Sequence, residues 1–386
     1  MPEPGGARSA GDSGSFGGSN GSGSSGSSGS DSSGNSTMAP WVYPSGSLAG
    51  RGYDVELRPG TRSWTHTGLG VLTLAPGVET VVSSAGHESV VVPLNGSLEV
   101  TATMPDGSTE RAELDGRPSV FAGPTDVCYV PPVPRLVLLS EEGARVALCW
   151  APVGKRADPA AFRHVRREEV AVELRGAGRA SREVRNFGTP AVLQADSLIA
   201  CEVVTPAGNW SSYPPHKHDE ERPGVESELE EIYYFEVAAE SRDPSHAPST
   251  ESGDGSHSPS QAADPVAYHR VYGTADRPIE VLAEVRSGDV VLVPHGWHGP
   301  SMAPPGYDLY YLNVMAGPGP ERAWLICDDP AHGWVRDTWA GQEVDPRLPL
   351  GSGTTASGSS VATATELPDA TAEDPDTTAA DPEGDQ

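Results

Sequence analysis

The residues best suited to chemistry in this 386-residue chain are three histidines and a glutamate that stand in separate segments. His216 and His218 flank Lys217, and alternate residues of a β-strand share a face, so both imidazoles should point the same way. Glu231 and His298 follow downstream. The four side chains form a mixed nitrogen and oxygen donor set suited to Zn, Mn, Fe, Co or Ni. The pattern therefore predicts a divalent metal site with His216, His218, Glu231 and His298 as ligands.

An isolated His-x-His pair is usually explained by solvated histidines on a loop. The sequence around these residues favours a metal site instead. Glu231 opens the run 231–235, and His298 follows the run 288–294. Both runs are rich in β-branched and aromatic residues and are typical of strands. Glu228 and Glu230 compete with Glu231 as the oxygen ligand. Period two places Glu230 on the face opposite Glu231, so only one of these two neighbours can point inward.

Composition limits the partners. The chain carries 26 basic and 54 acidic residues, a formal net charge of −28. Nucleic acid and anionic membranes bind basic surfaces, so neither is expected as a partner. Eight of the acidic residues lie between Glu366 and Asp385, so part of the excess belongs to a terminal segment. A small anionic substrate remains compatible if arginines converge in its pocket.

Cysteine usage and hydropathy indicate a cytoplasmic protein. The four cysteines are scattered and form no Cys-x-x-Cys pair, which suits a reducing compartment. No stretch approaches 18 apolar residues, and the first residues lack the basic and apolar regions of a signal peptide. Edge strands could support association, so a homo-oligomer is possible.

The chain divides by composition into tails and a folded body. Residues 1–40 are mostly Gly and Ser, and residues 346–386 form an acidic tail; both are expected to be disordered because they can bury little apolar surface. Short Val-, Leu- and Tyr-rich runs between turn residues predict an all-β body. We expect barrels over 41–155 and 196–345, a polar connection over 156–195 and a mobile insertion over 238–265.

The two halves of the body resemble each other. Residues 125–131 mirror residues 288–294, and residues 87–91 resemble residues 230–234. The similarity predicts a duplicated β-domain. In this register Glu88 corresponds to Glu231 and Arg135 corresponds to His298, while no His-x-His precedes Glu88. The N-terminal barrel is therefore expected to lack metal ligands.

The order of these residues resembles the two motifs of cupins, small β-barrels with a metal at the centre. Within that superfamily, four segments of the chain resemble the 5-deoxyglucuronate isomerases of inositol catabolism: Trp210 to Asp219, Glu230 to Phe235, Arg270 to Tyr272, and Tyr307 to Gly317. The resemblance runs from about residue 48 to 341 and is strongest in the second half. It implies two cupin-type jelly-roll β-barrels in tandem, with Glu231 as the glutamate ligand.

The resemblance also implies a reaction, the conversion of 5-deoxy-D-glucuronate to 5-dehydro-2-deoxy-D-gluconate. This aldose to ketose isomerisation needs no nucleotide and no redox organic cofactor. The carbon beside the aldehyde loses a proton, and the resulting enediolate regains one at the neighbouring carbon. A divalent metal would stabilise the developing negative charge, and a nearby base would carry the proton.

Roles follow for five residues. We name Glu231, Lys217 and Tyr311 as catalytic candidates and Arg270 and Tyr234 as substrate-binding candidates. A guanidinium or ammonium group suits the substrate carboxylate, so Arg270 and Lys217 are both candidate anchors. Alternation nevertheless points Lys217 away from the two flanking histidines. Tyr234, Tyr311 and a metal-bound water remain alternatives for the base.

Three other functions are compatible with the same residues. A metal-dependent oxygenase could use the same ligands with Fe or Ni and O₂. A related isomerase could act on 4-deoxy-5-ketouronates. A sugar-acid sensor is a third alternative, although no DNA-binding helix pair or basic segment accompanies the barrels.

Overall fold

Antiparallel β-strands build the folded body, as the short apolar runs between turn residues predict. A computed structural model describes residues 41–351 except 63, 85, 155–157, 159 and 241–263. The predicted disorder of 1–40, of most of 346–386 and of most of the insertion 238–265 falls outside these residues. The first strand, β1 (Val42–Tyr43), pairs with a strand of the second half of the chain.

Nine strands of the first half form one sheet that folds over itself. The long strand β5 pairs with β9 through residues 87–95, with β7 through residues 89–91, and with β6 and β8 within residues 96–103. Gly96 stands at the change of partner with a φ of 77°, where a Cβ would lie 2.6 Å from the Gly143 carbonyl oxygen. The strands are β2 (Val55–Leu57), β3 (Gly68–Leu74), β4 (Thr80–Val82), β5 (His87–Thr103), β6 (Thr109–Arg117), β7 (Val127–Val130), β8 (Arg135–Leu139), β9 (Ala144–Pro152) and β10 (Arg163–Val165).

The second half has two sheets. The seven-stranded sheet contains β1, β11 (Ala171–Arg175), β12 (Arg182–Gly188), β13 (Ile199–Thr205), β16 (Glu230–Ala239), β19 (Val290–Val293) and β21 (Tyr307–Ala316). The six-stranded sheet contains β14 (Trp210–Ser211), β15 (His216–Lys217), β17 (Ala267–Tyr272), β18 (Glu280–Val285), β20 (Trp297–Met302) and β22 (Cys327–Asp328). The 3-10 helices are Arg167–Glu169, Gly178–Ala180 and Gly333–Gly341. Over the described ranges, no helix has the length and apolar composition needed to cross a bilayer.

Three apolar cores separate the sheets. One fills the first half, a second fills the space between the two sheets of the second half, and a third lies between the halves. Strand β16 contributes to two of them, because Tyr233 and Phe235 face the second-half core while Ile232 and Tyr234 face the core between the halves. Both faces of this strand are therefore buried. The predicted all-β, two-barrel architecture is confirmed.

The segment 156–195 contains three strands, although its polar composition predicts a connection. Strand β10 pairs with β7 of the first half, whereas β11 and β12 join the second-half sheet. Buried charged residues in this segment form ion pairs and hydrogen bonds. The Arg185 guanidinium lies 2.7 Å from the Glu183 carboxylate and donates a hydrogen bond to the Val120 carbonyl at 2.7 Å. Paired charges can occupy an interior that lone charges cannot, so the polar composition is compatible with strand. The domain boundaries themselves remain a prediction.

The two halves align one residue away from the register that the sequence predicts. In the second half Glu231 pairs with Val293 of β19, and in the first half Ser89 pairs with Val130 of β7. Val130 and Val293 occupy the same place in the repeat. Ser89, and not Glu88, is therefore the structural counterpart of Glu231.

Candidate metal centre

Both sheets of the second half contribute to the predicted metal site. His216 of β15 and His298 of β20 are direct cross-strand partners in the six-stranded sheet. His218 follows β15, and Glu231 projects from β16 of the opposite sheet. Glu231 shares its face with Tyr233, which belongs to the second-half core. Three of the four predicted ligands, His218, Glu231 and His298, therefore meet inside the second barrel, and His216 lies beside His298.

The distances between these side chains are short enough for them to bind one metal ion together. Glu231 Oε2 lies 3.0 Å from His218 Nε2 and 3.1 Å from His298 Nε2. One ligand atom from each of these three residues lies within 4.8 Å of the others. The His216 ring centroid is 4.4 Å from that of His298 and 6.3 Å from that of His218. His218, Glu231 and His298 are fully buried, while His216 is half-buried and lies on the more accessible side.

Backbone carbonyls orient two of the histidines. His218 Nδ1 lies 3.3 Å from the Leu229 carbonyl oxygen, and His298 Nδ1 lies 3.2 Å from that of Gly296. These contacts leave the Nε2 atoms to face Glu231, an arrangement typical of metal-binding histidines. Gly296 has a φ of 91°, and a Cβ there would lie 2.7 Å from the Tyr272 carbonyl oxygen, so this turn requires glycine.

The protonation states of these residues fit a cation. Burial by itself raises the pKa of Glu231, but His298 and His218 outweigh burial and hold that pKa well below its usual range. Burial and the two neighbouring histidines hold the pKa of His216 well below its usual value, so this ring is neutral. His298 Nε2 is buried and makes no well-aligned hydrogen bond to a described residue, although Glu231 Oε2 lies 3.1 Å away. Burial by itself lowers the pKa of His218, but Glu231 outweighs burial and raises it, so this ring would release its proton as a cation binds. A carboxylate and imidazole nitrogens are donors that a divalent metal accepts, so the residues present can hold one.

Lys217 and Arg270 lie in other contacts. The Lys217 ammonium is 2.6 Å from Asp219 and 2.8 Å from Glu226, away from the two histidines that flank it, as alternation predicts. The Arg270 guanidinium stacks over the Tyr272 ring at 4.7 Å, and its side chain is 43% exposed. The structure does not bring either cation into the group of ligands.

The tyrosines separate by strand face. Tyr234 faces the core between the halves, where its hydroxyl contacts Arg145 of the first half. Tyr233 faces the barrel interior instead, with ring centroids 6.2 Å from His298 and 5.1 Å from Tyr311. The geometry therefore places Tyr233 and Tyr311 beside the site and Tyr234 behind it. Residues two apart on a strand share a face, so Tyr233 points into the barrel on the same side as Glu231.

Two further residues at this site are not among those predicted from the sequence. His269 of β17 is fully buried, with Nδ1 2.8 Å from the Ser301 hydroxyl and its ring 4.4 Å from Tyr233. Ser212 Oγ lies 3.0 Å from the Tyr311 hydroxyl, and its φ of 48° is unusual outside glycine. Alternation from the buried Val271 indicates an inward His269, whereas no sequence signal marks Ser212.

The fold and the site define a double-barrel protein of the cupin type, with a buried histidine and glutamate centre in its second barrel. The KduI/IolB family matches residues 41–335. The chain belongs to this family, and the resemblance found in its motifs is confirmed.

Relatives and solved structures agree with this membership. The chain is similar to the 5-deoxy-glucuronate isomerase of Geobacillus kaustophilus, with 39% identity over 303 residues that cover 78% of this chain and 97% of that protein. It is similar in structure to an IolB-like protein from Salmonella typhimurium, with a TM-score of 0.63 and 31% identity over 77% of this chain and 99% of that one. An oxalate decarboxylase from Lactobacillus farciminis has a TM-score of 0.50 at 12% identity over 76% of this chain and 89% of that one, which shows the fold alone.

Proposed function

We propose that the protein is a 5-deoxyglucuronate isomerase, which converts 5-deoxy-D-glucuronate to 5-dehydro-2-deoxy-D-gluconate in inositol catabolism. The observation that carries the proposal is the meeting of His218, Glu231 and His298 inside the second barrel of a chain that is 39% identical to a protein with this name. The substrate is a small sugar acid. The scattered, free cysteines suit a cytoplasmic location.

The proposed ligands are His216, His218, Glu231 and His298, for a divalent ion among Zn, Mn, Fe, Co and Ni. Bound there, the ion would act as a Lewis acid that stabilises negative charge on the substrate oxygens. Glu231 supplies the anionic donor, and the carbonyl contacts of His218 and His298 fix the ring orientations. His216 lies on the accessible side of the site and would line the space that the substrate enters.

Isomerisation moves one hydrogen between two carbons and one between two oxygens, with no net oxidation. Tyr311 is suited to the oxygen side of this exchange. Burial raises the pKa of Tyr311, so its hydroxyl stays protonated at neutral pH and can donate to a substrate oxygen. Ser212 links this hydroxyl, at 3.0 Å, to that of Tyr233, at 3.4 Å. We assign Lys217 a positioning role, because its ion pairs hold the segment 217–226 that follows His216.

The test is direct. Purified protein is incubated with 5-deoxyglucuronate, with and without a chelator, and loss of the aldehyde is followed by NMR while elemental analysis identifies the bound ion. We expect isomerisation that stops with the chelator and returns when the ion is restored. Parallel arms with 4-deoxy-5-ketouronate and with an oxygen electrode separate the other isomerase and the oxygenase. Turnover only in one of those arms would overturn the proposal.

A further inference from the structure

A carboxylate outside the group of metal ligands joins the two chain segments that supply the three histidines. Asp219 directly follows His218, and its side chain is only 7% exposed. Its Oδ2 accepts a hydrogen bond from the Gly296 backbone N–H at 2.9 Å. Gly296 lies two residues before His298. This hydrogen bond therefore connects the segment that follows β15 with the turn that precedes His298.

Backbone pairing alone does little to hold these two segments together at this point. Strand β15 is two residues long, and it pairs with β20 through His216 and His298. A strand of this length makes few ladder hydrogen bonds. Asp219 and Gly296 meet beyond that pair, just past the end of β15. The separation of the segments there depends on this side-chain contact.

The same glycine contacts a ligand ring through its carbonyl group. The Gly296 carbonyl oxygen lies 3.2 Å from His298 Nδ1, while the Gly296 N–H donates to Asp219. Both groups belong to one residue, so loss of the N–H contact frees the backbone that carries the carbonyl. Asp219 thereby acts on the orientation of the His298 ring, which is how the hydrogen-bonding partners around a metal site affect its ligands.

Two cations keep the Asp219 carboxylate in place. Lys217 Nζ lies 2.6 Å from its Oδ1, and Arg277 Nη1 lies 3.0 Å from its Oδ2. Lys217 also contacts Glu226, whose Oε1 accepts the Asp219 backbone N–H at 2.8 Å. Arg277 comes from the turn between β17 and β18, so three segments of the chain meet at this carboxylate. Removing one member of such a group leaves the others without their partner.

We propose that Asp219 is a positioning residue of the metal centre, which holds the His218 and His298 segments at the separation that a divalent ion requires. The inference rests on the metal centre of the proposed function and deepens it, because it names a residue that sets the affinity for the ion. Among the described residues, the group whose ligand atoms come together consists of His218, Glu231 and His298. Asp219 therefore acts through the ligands and does not bind the ion itself.

The experiment measures Zn²⁺ binding to the full-length protein by competition with a chromophoric chelator, which requires no substrate. It compares Asp219→Ala, which removes the carboxylate, with Asp219→Asn, whose carbonyl oxygen can still accept the Gly296 N–H. We expect Asp219→Ala to weaken Zn²⁺ binding about 10- to 100-fold, the range for loss of a hydrogen-bonding partner around a metal site. Asp219→Asn should lose less, because it keeps this hydrogen bond but not the two ion pairs.

Asp126→Ala is the matched control. Asp126 is a buried carboxylate of the first half that accepts the backbone N–H groups of Asp115 and Gly116, at 2.9 and 3.0 Å. Its loss should lower the melting temperature of the metal-free protein without a change in Zn²⁺ affinity. If Asp126→Ala and Asp219→Ala weaken Zn²⁺ binding equally, the effect is a general loss of stability and the inference is overturned.

The remaining outcomes separate this inference from the proposed function. Wild-type Zn²⁺ affinity in Asp219→Ala would overturn the inference alone. Should Asp219→Ala fail to fold, Asp219→Asn takes its place, and wild-type affinity in that variant would overturn it equally. A loss of Zn²⁺ affinity in the variant, in a protein that does not convert 5-deoxyglucuronate, would support the role of Asp219 and overturn the proposed function. A wild type that does not bind Zn²⁺ would overturn both.

Discussion

Glu88 and Glu230 occupy equivalent positions in the two halves, and each carboxylate accepts hydrogen bonds from three consecutive backbone N–H groups of the other half. Glu88 receives those of residues 196–198 at 2.6 to 2.7 Å. Glu230 receives those of residues 65–67 at 2.7 to 3.3 Å. The halves are therefore joined by a reciprocal pair of anionic contacts. The pair also supports the register that aligns Glu88 with Glu230.

The first prediction concerns this pair. Glu88→Gln replaces an anionic acceptor by a neutral amide at a fully buried position, so the free energy of unfolding should fall by about 1 to 3 kcal/mol. Glu230→Gln, at a half-buried position, should cost less. Urea unfolding measures both. Equal stability of Glu88→Gln and the wild type would show that the contact is not energetically important.

The second prediction concerns the metal ligands. His298→Ala and His218→Ala each remove one buried donor, so bound metal should be lost and turnover should fall about 100-fold or more. Elemental analysis and the NMR assay measure the two effects. His332→Ala is the control, because His332 lies outside the group of ligands, with its ring centroid 6.4 Å from that of Tyr213. Near-complete activity of either ligand variant without bound metal would contradict the assignment, provided that circular dichroism shows an intact fold.

The third prediction separates two tyrosines. Tyr311→Phe removes an interior hydroxyl beside Ser212, so kcat should fall about 100-fold, in the range of a lost general acid. Tyr234→Phe removes a hydroxyl that faces the first half. It should leave kcat and KM unchanged and lower stability by about 1 kcal/mol. If Tyr234→Phe loses turnover while Tyr311→Phe keeps it, the direction in which each tyrosine side chain points does not determine its role in catalysis.

The fourth prediction uses pH. Hydrogen bonds from Arg347 lower the pKa of Asp345 from 3.8 to about 2. Because this pKa is depressed in the folded state, the contribution to stability is complete above about pH 4 and is lost as the pH falls toward 2. With allowance for partial exposure it amounts to about 1 kcal/mol. Asp345→Asn should lower stability at pH 6 and flatten the acid limb. A parallel shift of the whole pH profile would contradict this account.

The sequence indicates which candidate ligands the fold brings together, because each lies in or beside a segment with a recognisable strand pattern. His216 and His218 are set by alternation, and Glu231 and His298 each adjoin a strand with a strong apolar pattern. The facing of Tyr234 was harder to predict, since both faces of β16 are buried and the strand shows no polar and apolar alternation.

The crossing of β1 into the second-half sheet bears on how the molecule could be divided. Val42 and Tyr43 pair with the outer edge of β19. Strand β19 lies two strands away from β21, which carries Tyr311. A fragment that starts after the first barrel would leave the backbone groups of β19 open to pairing with other chains. Separate expression of the second barrel should thus yield aggregation-prone material, because it exposes both this edge and the apolar core between the halves.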